Sequence, residues 1–501
     1  MLGVFRVALC LVLLYDLGRR FPEAGLLWSS EGVLTSKALG KVPQAHHQLS
    51  FLLAFESAAA VRLAFAALGA VFLLYGLGLF TRVMQVLALL GYASLNARNL
   101  FFEDGGTSLV IILLTWTVLV PLGDRFSLDA LRRDAALPSV KARVAARAQA
   151  AAPLYSLAAL AILLQAAVIY WFNAAHKSGI TWRAGDAVHL VLWQHRVNTP
   201  VALWFAGVEP SWFSPLSTWL TKRTELLLPL LLLWPSHPVP ARTLAFVLAV
   251  LLHGGIALCL TLGPFSYAMI CLLWLTVPGA ALDFALRLRW PALAGMWRRG
   301  ARFRARAVRT LGRRPWASRR VPTLPAPFPR RLGQLREALL VGMLIVEGAN
   351  VLASNRAVPA PLRVTSRWWL DAYKPYLRGY QGWSMFAPDA PREDGTMVID
   401  AVTVGGRHLD PFTGMAPDFQ QIRQGISPHS IALSDYFFAM RDQRHARYRA
   451  DLHRYLKQLP VASPRDRLRA VDVWWISYLP PPRGAYVPSP VKKQRLWRAK
   501  L

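Results

Sequence analysis

Long apolar blocks are the feature that most constrains how this chain can fold. They run for about 18–22 residues, the length that an α-helix needs to cross the ~30 Å hydrocarbon core of a membrane. Hydrophobic residues make up 54% of the 501 residues and are concentrated in these blocks rather than spread as a soluble core needs. We predict nine membrane-spanning helices, at residues 3–18, 57–80, 83–101, 106–123, 152–173, 214–234, 242–261, 264–282 and 337–354.

Basic segments between these blocks predict the orientation of the chain. Segment 124–147 is rich in Arg, and segment 285–336 contains fifteen Arg and no Lys. Loops rich in Arg and Lys stay on the cytoplasmic side, and nine spans place both segments on that side. We therefore predict a cytoplasmic N-terminus and an extracytoplasmic region at residues 355–501.

The basic segments between the predicted spans also explain the net charge of +31. A strongly positive chain can bind nucleic acid, but here the basic residues cluster between spans, where they contact anionic lipid headgroups on the cytoplasmic side. We therefore predict membrane lipids as partners and no nucleic-acid role. Cys10, Cys259 and Cys271 all fall inside predicted spans, so neither a disulfide framework nor a metal site is predicted.

The predicted fold class is mainly α, a polytopic helical membrane domain with a small extracytoplasmic α+β domain at the C-terminus. Four regions follow from the composition of the chain. They are a membrane domain at 1–284, an Arg- and Pro-rich cytoplasmic linker at 285–336, the last transmembrane helix at 337–354, and the α+β domain at 355–501.

Three patterns predict the elements of the C-terminal domain. Thr396–Val404 alternates in hydropathy and is followed by Gly405 and Gly406, which predicts a β-hairpin. Helical spacing marks Arg444–Leu459, and Val471–Tyr478 is an apolar run rich in β-forming residues. We therefore expect a hairpin, a helix and a further strand.

Lys177, just after the fifth predicted span, is the first candidate for chemistry. A lysine in this position normally extends its amine to the lipid headgroups. However, Thr181–Trp193 is semi-apolar and too short to span, which predicts an interfacial or re-entrant segment that covers Lys177. Burial favours the neutral amine, which is the form that acts as a base. Both interpretations, headgroup anchor and base, stay open.

Two other ionisable residues fall inside predicted spans. His253 lies in the middle of its span, where a histidine normally faces a cavity or a polar partner, although Gly254 and Gly255 also fit a histidine that only packs between helices. Glu225 precedes a leucine-rich run, and we interpret it as an ion pair with Lys222 or Arg223 rather than as a catalytic acid.

Several motifs occur in a characteristic order along the chain. In the membrane domain they are Thr117–Asp129, the Tyr-(apolar)-Lys-Trp pattern of Tyr170–Trp182, then His253, then Gly263–Tyr267. In the C-terminal region they are Tyr380–Phe386, Met397–Val404 and Val473–Ser477. This order and the predicted topology resemble the vitamin K-dependent γ-carboxylase-like (HTTM) family, and the resemblance runs, in pieces, through most of the chain.

The resemblance implies a reaction on a reduced quinone, either vitamin K hydroquinone or menaquinol. In the carboxylases a lysine, which Lys177 matches, deprotonates the hydroquinone. Oxygen then yields a strong base that removes a γ-proton from a glutamate side chain, and the carbanion captures CO₂. The same resemblance implies that His253 lines the pocket, that Trp383 and Met385 cover it from outside, and that the substrate is an exported polypeptide.

Trp182 and Tyr267 belong to the matched motifs and are also expected at the pocket. The sequence departs from the family at the end of the third span, where carboxylases carry Asn-Asn-His and this chain reads Asn-Ala-Arg-Asn. Arg98 cannot exchange a proton near neutral pH, so the role of the histidine is lost or changed. Arg98 is expected to hold a carboxylate or to pair with Glu103 or Asp104.

Two functional hypotheses follow. The first is a quinol-dependent enzyme that carboxylates glutamate in an exported polypeptide, with Lys177 as the base and His253 as a pocket residue. The second is a maturation or interaction factor for a secreted peptide, in which Lys177 and Arg98 bind an anionic group. A transporter fits less well, because the sequence has no repeat of two related halves. The resemblance to bacterial members predicts the bacterial inner (cytoplasmic) membrane.

Overall fold

A computed structural model describes residues 1–39, 49–102, 104–137, 139–151, 157–281, 328–365, 368–370, 379–420, 430–460 and 463–501. These residues are mainly helical and contain one small antiparallel sheet. In chain order the helices are α1 (Leu2–Arg20), α2 (Ala24–Trp28), α3 (Ser36–Leu39), α4 (Ala58–Leu77), α5 (Thr81–Arg98), α6 (Gly105–Thr117), α7 (Leu128–Ala136), α8 (Val140–Ala151), α9 (Leu157–His176), α10 (Ile180–Ala184), α11 (Ala187–Leu192), α12 (Pro200–Ala206), α13 (Phe213–Leu233), α14 (Pro238–Cys259), α15 (Phe265–Thr276), α16 (Phe328–Ser354), α17 (Ile431–Arg441) and α18 (Arg449–Lys457).

Four helices of the described residues are long and apolar enough to cross a membrane: α4, α9, α14 and the Gly333–Ser354 part of α16. Each of the nine predicted spans overlaps a helix, but length and composition support only these four. Two of the others, α6 and α15, have 13 and 12 residues and reach about 20 Å, short of a ~30 Å core. The remaining three, α1, α5 and α13, carry charged residues.

The helices pack around a shared core. Helix α13 contacts both α9 and α14, α14 also contacts α15, and α1 packs on α4. Large apolar side chains remain on the outside of these helices, among them Leu63, Leu251 and Ile345. A surface this apolar is stable where hydrocarbon rather than water surrounds it. The four apolar helices therefore associate the chain with a membrane.

Two buried charged residues of α1, Arg6 and Asp16, have different partners. Asp16 is buried, accepts hydrogen bonds from Arg19 and Tyr92 at 2.7 Å each, and forms an ion pair with Arg20 at 2.7 Å. Arg6 is equally buried but donates to backbone carbonyl groups, including that of Leu122 at 2.7 Å. Both buried charges therefore have polar partners, and these lie on neighbouring elements as well as in α1.

The C-terminal sheet has the strand order β2-β1-β3-β4, with β1 at Asp394–Thr403, β2 at His408–Leu409, β3 at Leu468–Tyr478 and β4 at Lys492–Lys500. The predicted hairpin is confirmed, because β1 pairs with β2 across a turn in which Gly406 has a φ of +84°. The predicted strand at Val471–Tyr478 corresponds to β3. The strand β4, whose sequence is mostly basic, was not expected.

The predicted helix at Arg444–Leu459 is only partly α-helical. Residues Gln443–Tyr448 form a 3₁₀ turn, and the α-helix α18 begins at Arg449. Helix α17 packs on β1, which adds a helical layer to the sheet. Most of the predicted linker at 285–336 lies outside the described residues, so the boundaries of the four predicted regions stay predictions.

Candidate functional site

Lys177 is buried at the end of α9, with 4% of its surface exposed. Its Nζ atom lies 2.5 Å from Oε1 of Glu225 on α13. Trp182 on α10 lies beside the amine, with its ring centroid 4.5 Å from Nζ. The segment predicted to cover Lys177 is therefore in place, and the lysine is not a solvated headgroup anchor.

Glu225 has a different partner from those expected. Lys222 donates to the backbone carbonyl of Lys177 at 2.8 Å, and the guanidinium of Arg223 lies 5.5 Å from the ring centroid of Trp219. The cause is helical geometry: two residues along α13 is about 200° of rotation, so Arg223 is exposed while Glu225 faces α9 and is buried. The pairing of Glu225 with Lys222 or Arg223 was wrong.

Tyr170 and His253 form a second buried pair next to the first. The hydroxyl of Tyr170 lies 2.8 Å from Nε2 of His253 on α14, and Phe265 packs edge-on against the imidazole at 5.5 Å. Tyr170 precedes Lys177 by two helical turns and so shares its face of α9. We refer to Tyr170, Lys177, Glu225 and His253 as the polar cluster.

Two atoms of the polar cluster are buried without a hydrogen-bond partner in the described part of the chain. They are Oε2 of Glu225 and Nδ1 of His253. Buried polar atoms nearly always have a partner, because leaving one without costs about 1–3 kcal/mol. The cluster can therefore bond a ligand through a carboxylate oxygen and a ring nitrogen.

Trp383 and Met385 lie against the end of α9, beside the polar cluster. The carbonyl of Trp383 accepts a bond from Nδ1 of His176 at 2.8 Å, and the amide of Met385 donates to Oδ1 of Asn173 at 3.1 Å. The amide of Ala357 donates to the other ring nitrogen of His176, so the imidazole is neutral with its proton on Nδ1. The segment that contains Trp383 is therefore bonded to the end of α9, next to Lys177.

Further bonds attach the same segment to α10. The indole N–H of Trp182 donates to the carbonyl of Phe386 at 2.7 Å. The backbone N–H and the hydroxyl of Thr181 donate to Oδ1 of Asp389 at 2.7 and 2.9 Å. Trp182 is thus held between Lys177 and the C-terminal region, in a position where it excludes water from the amine.

A buried amide network holds Trp383 and was not predicted from the sequence. Gln381 accepts from the indole N–H of Trp383 and exchanges bonds with Gln165 of α9, all at 2.9 Å. It also donates to Glu347 of α16 at 2.9 Å. Glutamine and glutamate inside apolar helices were the available signal, because such residues need polar partners.

Arg98 and Tyr267 do not join the polar cluster. Arg98 is fully buried and donates to the carbonyl of Leu34 at 2.9 Å, and its Nε and Nη1 atoms have no partner among the described residues. Asp104 caps α6 rather than pairing with Arg98, and Glu103 lies outside the described residues. Tyr267 is 42% exposed and packs on Tyr15.

A further buried pair, formed by a histidine and a glutamate, lies near the contact between α11 and the C-terminal domain. Nδ1 of His189 is 2.9 Å from Oε2 of Glu209, and Nε2 is 2.8 Å from the carbonyl of Pro481. The other carboxylate oxygen of Glu209 accepts from Ser214. Burial alone would lower the pKa of His189, but the bonds to Glu209 and Pro481 raise this pKa above its ordinary value. Both nitrogens face acceptors, so the imidazolium fits best.

Comparisons with known proteins do not identify the function of this site. No family model matches the chain, and neither a curated protein nor a solved structure is similar to it. In the described residues, no group of three or more His, Cys, Asp or Glu could hold a metal ion. Function must therefore be inferred from the chemistry of the polar cluster.

Proposed function

We propose that this chain is a membrane enzyme of the γ-carboxylase type, in which the polar cluster acts on a reduced quinone and the modified group is a glutamate of an exported polypeptide. The observation that carries the proposal is the burial of Lys177 against Glu225, beside Tyr170 and His253. A lysine that served only as a headgroup anchor would lie in the polar interface. Burial in a water-poor helical site suits a base.

Lys177 and Glu225 act together as the base. In apolar surroundings the ion pair loses much of its advantage over the neutral pair, because two charges have been removed from water. A proton can then pass from Nζ of Lys177 to Oε1 of Glu225 across 2.5 Å. The neutral amine that results takes up a hydroxyl proton, and Glu225 holds the first one.

Two atoms of the polar cluster can bond the hydroxyl groups of a dihydroxy aromatic ligand. His253 has a buried Nδ1 and Glu225 a buried Oε2 with no partner in the described residues, and each can bond a hydroxyl. Phe265 and Tyr170 supply aromatic surface next to them. A bound hydroquinone would supply the electrons and, with oxygen, the strong base that removes a glutamate γ-proton.

Contacts at the helix ends support the proposed orientation, with the N-terminus at one end of the helices and the C-terminal domain at the other. At one end, Arg6 of α1 contacts Leu122, which follows α6, and Met1 contacts Trp274 of α15. At the other end, residues after α1 and α9 contact the C-terminal domain, as in the bonds Thr35–Asp451 and His195–Asp394. We propose that residues 355–501 lie outside the bacterial inner membrane. A reporter fused after Leu501 tests this, and activity of the reporter only in the cytoplasm would refute it.

The enzymatic proposal is tested by oxygen-dependent epoxidation of a reduced naphthoquinone, with the purified full chain in detergent. The comparison is between the wild type, Lys177→Ala and a control, Lys457→Ala, whose lysine is exposed in the C-terminal domain. We expect Lys177→Ala to lose activity by about 100-fold or more, the contribution of a positioned base, and the control to keep it. A folded wild type without activity, or an equally active Lys177→Ala, would overturn the proposal.

Arg98 favours a second function, that of a maturation or interaction factor. Its two N–H-bearing atoms without a described partner can bind an anionic group of a secreted peptide. No described contact joins Arg98 to Lys177, so this binding is separate from the polar cluster. If peptide maturation needs Arg98 but survives Lys177→Ala, the second function is favoured; the reverse dependence favours the enzyme.

A further inference from the structure

A cavity of about 440 Å³ lies on the side of α13 that carries its basic residues. Three of its lining residues are cations, Arg183, Lys222 and Arg223, and none of the lining residues is acidic. The nearby Glu225 faces the opposite way, toward Lys177. The complete lining is Trp182, Arg183, Ala184, Gly185, Pro215, Trp219, Lys222, Arg223 and Leu226.

The cationic side chains of this cavity have N–H donors that are not used in the bonds described. Lys222 uses one donor on the carbonyl of Lys177 at 2.8 Å, which leaves two ammonium N–H groups. Arg223 contacts only the ring of Trp219 among the interactions described. Arg183 interacts electrostatically with the carboxylate of Asp389. That carboxylate already accepts two hydrogen bonds from Thr181. Three positive groups are therefore concentrated where an anion can reach them.

The cavity opens on a surface that suits a membrane interface. The outer face of α13 exposes leucines, among them Leu220 and Leu230. Trp212 and Trp219, two helical turns apart, are also exposed on this helix, at 62% and 55%. Exposed tryptophans next to an apolar helix face are typical of the headgroup level of a membrane. A phosphate at that level, attached to acyl chains along the leucines, fits this position better than a free ion does.

We propose that this cavity binds the phosphate of an anionic phospholipid in the leaflet next to the C-terminal domain. Arg183, Lys222 and Arg223 neutralise the headgroup, and the leucines of α13 contact its acyl chains. The site is separate from the basic segments expected to meet lipid on the opposite side. It also goes beyond the proposed enzyme, because lipid binding here requires no reaction at Lys177.

The test is retention of phosphatidylglycerol by the purified full chain, measured by native mass spectrometry after exchange into nanodiscs that contain phosphatidylglycerol and phosphatidylcholine. The test variant is the triple Arg183→Gln, Lys222→Gln, Arg223→Gln. The matched control removes one lysine and two arginines from the exposed strand β4, as Lys492→Gln, Arg495→Gln, Arg498→Gln. A second variant, Arg183→Gln with Arg223→Gln, keeps the bond of Lys222 to Lys177 and guards against misfolding.

We expect the triple variant to retain at least tenfold less phosphatidylglycerol than the control, because each basic side chain near an anionic lipid contributes about fivefold. The double variant should fall between the two, and phosphatidylcholine should not be retained by any of them. Equal retention by the triple variant and the control would overturn the proposal. Retention lost on adding inorganic phosphate, or replaced by binding of a glutamate-rich peptide, would assign the cavity to a free anion or a polypeptide instead.

Discussion

The described part of the chain contains two buried pairs of a cation and a glutamate, and they differ in how completely they are bonded. In the pair His189–Glu209 every polar atom of the two side chains has a partner, since Pro481 and Ser214 complete the set. In the pair Lys177–Glu225 the second carboxylate oxygen has no partner in the described residues, and neither has Nδ1 of the adjacent His253.

This difference separates a structural pair from a reactive one. A fully bonded buried pair has no capacity left for a ligand, so its contribution is to hold two regions of the chain together. An incompletely bonded pair carries a free-energy cost in the absence of a ligand, and a site that binds a polar molecule recovers that cost. Under the proposed function, His189–Glu209 contributes to stability and Lys177–Glu225 to chemistry, and four predictions test this division.

The largest effect is expected from separating the partners of the reactive pair. Lys177→Met or Glu225→Leu alone leaves a charge buried without its counter-ion, which costs about 3–5 kcal/mol of unfolding free energy. The double variant removes both charges and should recover most of that stability, while epoxidation stays abolished. Unfolding in detergent and the epoxidation assay measure the two quantities. Singles that are no less stable than the double would contradict the burial of the pair.

A smaller loss is expected at the bonded pair. His189→Gln removes a charge-assisted hydrogen bond to Glu209 and should lower the unfolding free energy by about 2 kcal/mol. Epoxidation should stay within about twofold of the wild type, since general acid–base effects of 100-fold or more belong to groups at the reacting atoms. If His189→Gln lost activity as Lys177→Ala does, the division into structural and reactive pairs would be wrong.

Tyr170→Phe probes the edge of the polar cluster with a smaller change. It removes the hydroxyl 2.8 Å from Nε2 of His253 and leaves that buried nitrogen without its bond, at a cost of about 1–2 kcal/mol. The matched control is Tyr267→Phe, whose ring is partly exposed, and its effect should stay within about 0.5 kcal/mol. The melting temperatures of the two variants measure this difference. Equal values would show that the hydroxyl of Tyr170 does not stabilise His253.

The smallest effect is the contribution of the bonded pair to the dependence of stability on pH. Bonds to Glu209 and Pro481 raise the pKa of His189 above its ordinary 6.5 despite burial. A raised pKa means that the imidazolium stabilises the folded chain fully below about pH 6.5 and that this contribution is lost as the pH rises through the folded value. The melting temperature of the wild type should therefore approach that of His189→Gln as the pH rises above 6.5. A constant difference would show that the proton is not involved.

The sequence predicted those parts of the fold that depend on local spacing. The hairpin at β1 and β2 follows from alternation and from a glycine that tolerates positive φ. Tyr170 and Lys177 share one face of α9 because they are two turns apart, and the cover over Lys177 follows from a semi-apolar segment too short to span. Arg98 was found to be buried, but its expected partner Asp104 caps α6 instead.

Nine spans went beyond what hydropathy supports. Helices α6 and α15 are shorter than the apolar runs that suggested them. They end at Thr117 and Thr276, whereas the predicted spans extend to residues 123 and 282. Strand β4 was missed for the opposite reason. Its basic side chains carry no apolar alternation, and its backbone pairs with β3 through bonds that no composition reveals.

By itself, the sequence determined that apolar helices associate this chain with a membrane and that a small β-containing region follows them, since both depend on periodicity along a single stretch. Only the tertiary structure decided which buried polar side chains are bonded to one another. Glu225 meets Lys177 across 48 residues, and Gln165 meets Gln381 across 216. Such contacts depend on which helix faces are packed together, and burial then requires each polar group to bond whatever the packing brings within reach.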